Sequence, residues 1–155
     1  MKKITPLFFL LAIVLVIGLE KNKTQPVFQE VSDQKQSQIY RITFQDNKIS
    51  NRNLGKYLKT SRIHQLSVSL PSEYLSKIKH ATYQVKSNLS LAENLKRYQA
   101  LLATELKQAG FSKMSEKIGL VGYPISEIVV EMLEQDFVNW KNNYPSMILE
   151  YSVVE

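Results

Sequence analysis

Apolar residues along the chain follow two different periods. Ile39-Tyr-Arg-Ile-Thr-Phe44 alternates Tyr40, Ile42 and Phe44 with Arg41 and Thr43, and His64-Gln-Leu-Ser-Val-Ser-Leu70 does the same through Leu66, Val68 and Leu70. Met147, Leu149, Tyr151 and Val153 repeat the alternation, with Glu150 and Ser152 on the other side. Successive side chains of a strand point to opposite faces, so these runs predict about three half-buried strands of a small antiparallel sheet with one wet face.

Elsewhere the spacing is three to four. Pro71 opens a run carrying Tyr74, Leu75, Ile78, Ala81, Thr82 and Val85, and proline suits a first helical turn. Ser90-Leu-Ala-Glu93 has the spacing of a capping box. It precedes Leu91, Leu95, Tyr98, Leu102 and Leu106, and Gly110 supplies the stop for a helix over 90–109. A third helix is predicted over 124–143, with Ile125, Ile128, Val129, Met132, Leu133, Phe137 and Trp140 on one side and Tyr144-Pro145 as its end. Glu127, Glu131 and Glu134 would then form an exposed acidic stripe along it. The fold class predicted is α+β: about three strands packed against about three helices in a single domain, residues 39–155.

The pattern of the first 38 residues is different. Lys2 and Lys3 precede an apolar run from Ile4 to Leu19, and Glu20-Lys-Asn-Lys23 follows, which is the layout of an export signal. Its core, Leu7 to Leu19, is shorter than the ~20 residues a spanning helix needs. That favours cleavage, near Gly18. Val16-Ile17-Gly18 is only a loose small-x-small site, which favours retention of residues 1–19 as a membrane anchor. Residues 20–38 read as a polar linker. The expected location is extracytoplasmic in either case: periplasmic or secreted, or tethered in the cell envelope.

Charge sharpens the picture. The chain of 155 residues carries a formal net charge of +6, unevenly spread: residues 19–110 sum to +8 and residues 111–155 to −4. Lys48-Ile-Ser-Asn-Arg-Asn-Leu-Gly-Lys-Tyr-Leu-Lys-Thr-Ser-Arg62 contains no acidic residue. On a helix Lys48, Arg52, Lys56 and Lys59 would share a face, with Leu54, Tyr57 and Leu58 opposite, although Gly55 and the asparagines weaken that helix. Lys48, Arg52, Lys56, Lys59 and Arg62 are therefore the candidate binding residues, for an acidic partner or an anionic membrane surface; the plainer reading is a solvated loop.

Chemistry is sparse. Cysteine is absent, which removes disulfides, thiol nucleophiles and thiolate metal sites. His64 and His80 have no nucleophile or carboxylate at a motif distance, and two histidines alone make a poor metal site, so no catalytic residue, metal or cofactor is assigned. Ser32-Asp-Gln-Lys35 and Ser76-Lys-Ile-Lys79 match Ser-x-x-Lys without the companion motifs that would make it a penicillin-recognising site. Gly119-Leu-Val-Gly122 has the spacing of a KH loop, but its variable pair is apolar and the residues after it are acidic, the wrong charge for phosphate. No nucleic-acid partner is expected; the two glycines read as a turn that feeds Ile125 and Ile128 into the core. Three functions remain, in order: an accessory protein of the cell envelope that binds another protein, a binder of anionic lipid or of an acidic partner through 48–62, and a small secreted hydrolase.

Overall fold

The computed structural model describes residues 36–45, 49–59 and 61–155. The run read as an export signal or anchor, nearly all of the stretch read as a linker, and Lys48 lie outside them. Among the described residues no helix is long and apolar enough to cross a membrane.

The fold is α+β. Among the described residues five strands, β1 (Ser37–Phe44), β2 (Arg62–Val68), β3 (Thr82–Gln84), β4 (Ile125–Leu133) and β5 (Ile148–Val153), form one sheet in the order β3-β2-β4-β1-β5. Every neighbouring pair is antiparallel. Five helices accompany them among the described residues: α1 (Leu54–Tyr57), α2 (Ser72–Leu75), α3 (Leu91–Gln108), α4 (Ser112–Val121) and α5 (Glu134–Asn143). The sheet is thus larger than the expected three strands. β1 begins at Ser37, inside the stretch read as linker, and β1 and β2 are not a hairpin because β4 runs between them.

The largest correction is β4. Residues 125–133 were expected to be helical, because Ile125, Ile128, Val129 and Met132 also fit a three-to-four spacing. They form the central strand instead. Ile125, Ile128, Val129 and Val130 are β-branched, which restricts their side-chain torsions in a helix and suits a pleated surface. Strands on both flanks bury Val129 on the wet face too, so the alternation that marks a half-buried strand is blurred. Leu133 is extended (φ −64°, ψ 140°), and only after it does α5 begin. That helix buries Phe137 and Trp140, stacks Phe137 on Tyr40 at 4.2 Å between ring centroids, and ends at Tyr144 before Pro145 as expected.

The run after Pro71 makes only one helical turn before β3. Glu105, reaching from α3, holds the segment that follows it: Oε2 accepts the backbone N–H groups of Lys79 and His80, both at 3.2 Å, and Oε1 lies 2.5 Å from His80 Nδ1. Those donors are thereby turned away from a continuing helix, and Thr82–Gln84 pairs with β2.

α3 is the element closest to expectation. Ser90 Oγ accepts the Glu93 N–H and the Glu93 carboxylate accepts the Ser90 N–H, a complete capping box, while Gly110 adopts φ 89° beyond its end. Ser90 holds the Glu93 carboxyl below its ordinary pKa of 4.5. A lowered folded-state pKa means that the box contributes fully above that ordinary value and loses its contribution as pH falls through the lower, folded one. Ser90→Ala is expected to cost about 1 kcal/mol near neutral pH and to lessen the acid sensitivity of thermal unfolding. Equal acid sensitivity in the two proteins would contradict this.

One face of the sheet carries the core. Tyr40, Ile42, Phe44, Leu66, Ile128 and Val130 pack there beneath Leu95, Tyr98, Leu102 and Leu106 of α3 and Phe137 and Trp140 of α5. Arg41, Thr43, Gln65, Ser67, Glu127 and Glu131 stand on the other face, as half-buried strands require.

Candidate functional site

The basic segment is fastened down by backbone pairing. Ser50 bridges Pro124, Ile125 N–H donates to Ile49 O at 2.9 Å, and Asn51 N–H donates to Tyr123 O at 3.4 Å. Leu54 and Leu58 are buried and Tyr57 half-buried, whereas Arg52, Lys56 and Lys59 are exposed. The split into an apolar inside and a basic outside is therefore present. The shared helix face is not, because α1 is a single turn.

Arg52 is occupied by a structural task. α4 ends at Gly122, and the last carbonyls of a helix need partners from outside it. The Arg52 guanidinium donates to Leu120 O, Gln99 Nε2 donates to Ile118 O at 2.7 Å and to Gly119 O at 2.9 Å, and Asn51 Nδ2 donates to Gln99 Oε1 at 3.0 Å. A cation at this position also matches the negative end of the helix dipole. Gly119 lies inside α4, and Gly122 (φ 85°, ψ −169°) is the turn that delivers buried Ile125 and Ile128, into a strand rather than a helix.

Two depressions adjoin here. One of about 720 Å³ lies between 51–61 and the N-terminal half of α3, lined by Arg52, Leu58, Lys59, Leu95 and Gln99 among others. The second, about 300 Å³, is lined by Arg62, His64, Val85, Lys86 and Leu89. Ser61 and Leu91 line both, so the two read as one cleft. Its charged lining among the described residues is Arg52, Lys59, Arg62 and Lys86, with no carboxylate. Lys59 and Arg62 are thus brought together, Lys56 is exposed but lines neither depression, and Lys48 lies outside the described residues.

Lys86 was not among the expected residues. It is placed by Asn94, which is fully buried in α3: its Oδ1 accepts the Lys86 N–H at 2.8 Å, and its Nδ2 donates to Lys86 O and Ser90 O at 3.0 Å and to Leu89 O at 3.2 Å. The available signal was Asn94 itself, a polar residue within the apolar stripe Leu91, Leu95, Tyr98.

The histidines do not meet. His64 Nε2 is 3.2 Å from Glu131 Oε2 on the wet face, while His80 pairs with Glu105. Ser37 Oγ also reaches Glu131, at 3.3 Å. That places the carboxylate between serine and imidazole, whereas nucleophile activation needs the imidazole in the middle. Glu127 pairs with Arg41 at 3.0 Å, and Glu134 opens α5, so the expected acidic helix stripe does not exist. Burial pushes the Tyr98 and Tyr123 hydroxyls well above the ordinary tyrosine range, which keeps both protonated. Among the described residues no group of three or more His, Cys, Asp or Glu is placed to hold a metal ion. Searches for a similar protein, made against family models, curated proteins and solved structures, return no match.

Proposed function

We propose that this chain is a non-catalytic interaction protein of the cell envelope, and that it docks an acidic segment of another protein in the cleft between 51–62 and α3. The observation that carries this reading is the cleft lining, four cations without a carboxylate among the described residues. The apolar floor supplied by Leu58, Leu91 and Leu95 favours a protein segment over a lipid headgroup, since a segment brings side chains to cover it. The export-like first 19 residues support the envelope assignment.

Exposed cations at an interface act mainly on association rate and salt dependence. The triple variant Lys59→Gln, Arg62→Gln, Lys86→Gln should therefore lose at least about tenfold in binding to polyglutamate at low salt. It should also lose a partner captured by the wild type from envelope extract, with thermal stability unchanged. Arg52 is left intact because it caps α4. Undiminished binding in the triple variant would refute the cleft. Binding to anionic vesicles but not to polyglutamate would replace the acidic protein by a lipid surface.

A further inference from the structure

β2 carries one residue more than its neighbour matches. Ile63 pairs with Val130 and Gln65 with Val129, so His64 between them is the extra residue of a β-bulge. Bulges re-aim side chains and recur beside functional sites. Here Ile63 and Leu66 stay buried on the core side, while His64 joins Arg62 in the lining of the cationic cleft. Val85 N–H donates to His64 O at 2.8 Å, which brings the segment of Lys86 alongside.

The imidazole has a carboxylate partner that the cleft itself lacks. His64 Nε2 lies 3.2 Å from Glu131 Oε2, and both side chains are partly exposed. Glu131 is also the cross-strand partner of Arg62, so its charge stands beside the cleft without lining it. The other charged groups at His64 are Arg62 on its own strand and Lys86 after β3. Glu127, the neighbouring carboxylate of β4, is held by Arg41 of β1 at 3.0 Å. Tyr83, the titratable residue of β3, is turned to Asn94 of α3.

We propose that His64 makes the cleft a proton-linked site, which binds an acidic segment more tightly when this imidazole is protonated. The inference rests on the reading of the cleft as the docking place of an acidic protein segment. With the imidazole neutral, the His64–Glu131 pair carries a net negative charge beside a site that must attract carboxylates. With the imidazole protonated the pair is neutral, and the field of Arg52, Lys59, Arg62 and Lys86 acts unopposed. Histidine is the side chain whose charge ordinarily changes near neutral pH, above the range in which carboxyl groups titrate. The sign follows from linkage. Affinity is greatest below the histidine range and falls as pH rises through it, and the bound segment in turn favours the protonated imidazole.

Polyglutamate titrated into the full-length chain at low salt, at about pH 7.5 and about pH 6, tests this. The wild type should bind about threefold more tightly at the lower pH, the effect of a single exposed charge. His64→Gln should bind with equal affinity at both. His80→Gln should keep the wild-type response, because that imidazole pairs with Glu105 away from the cleft. Glu131→Gln should bind more tightly than the wild type at the higher pH, since the opposing charge is gone. By NMR, the imidazole signal that His64→Gln lacks should titrate about half a pH unit higher when the wild type is saturated with polyglutamate. Equal wild-type affinity at both pH values, a response that His64→Gln retains or His80→Gln loses, no gain in Glu131→Gln, or an imidazole titration indifferent to polyglutamate would each overturn this proposal and leave the cleft standing. No polyglutamate binding at either pH would overturn both.

Discussion

Gly122→Ala is expected to destabilise the fold by about 3 kcal/mol, whereas Gly119→Ala is expected to stabilise it by about 0.5 kcal/mol. The two glycines share one short motif and occupy opposite situations. Gly122 has φ 85° and ψ −169°, a region that is essentially glycine-only and costs other residues roughly 1–3 kcal/mol. Its added Cβ would also stand 1.9 Å from Asn51 Oδ1, so the Asn51 amide must move. Asn51 is buried, and moving it breaks its hydrogen bond to Gln99, a loss of about 1 kcal/mol. Gly119 is helical, and nothing lies within 4 Å of its added Cβ, so alanine there only limits the unfolded chain. Urea unfolding of the two variants checks the opposite signs. Because the Asn51–Gln99 bridge anchors the wall of the cleft, Gly122→Ala should also weaken polyglutamate binding while leaving every charge in place. Equal stability of both variants would refute the account.

What the sequence disclosed depended on whether local pattern and tertiary placement agreed. They agree in α3, where capping box, apolar stripe and terminal glycine all point to one helix. They agree in β1, whose alternating side chains face one covered and one open side; in β5 a register shift sets Ile148 rather than Leu149 opposite Phe44, and Leu149, Tyr151 and Val153 remain exposed. They conflict at 125–133, where burial on both faces removed the alternation and left a spacing that a helix also satisfies. They conflict again at 76–84, where the N–H groups of Lys79 and His80 are taken by Glu105, more than twenty positions away, and Thr82–Gln84 pairs with β2. α4 was missed for a related reason: Phe111 gives it no side-chain cap, and its last carbonyls are satisfied by Gln99 and Arg52 from other elements. The candidate site was legible as a charge run and not as a shape. The cations of 48–62 could be read from the chain, but which of them line a cleft, and which caps a helix, depends on the backbone bridge between Ser50 and Pro124.

The same dependence on distant partners makes Asn94 the second site of a large effect. Asn94→Leu is expected to destabilise by about 3 kcal/mol, since each buried polar group left without a partner costs roughly 1–3 kcal/mol. Leucine keeps most of the volume and closes the site to water, stranding the Lys86 N–H and the Leu89 carbonyl. The Lys86 and Ser90 carbonyls are spared, because they also accept the backbone N–H groups of Leu89 at 3.2 Å and of Asn94 at 3.0 Å. Asn94→Ala removes the same bonds but leaves space that a water can enter to replace some of them, so it should cost less than leucine despite creating a void. That order is the reverse of what side-chain size alone predicts, where the larger apolar residue would be the milder change. Both variants should weaken the cleft for polyglutamate with all of its charges retained, because Lys86 then stands on a segment no longer held to α3. Thermal unfolding gives the order of stability, and a polyglutamate titration of the two variants beside Lys86→Gln separates loss of position from loss of charge. If Asn94→Leu proved as stable as the wild type, the claim that this one buried amide organises residues 83–90 would fall.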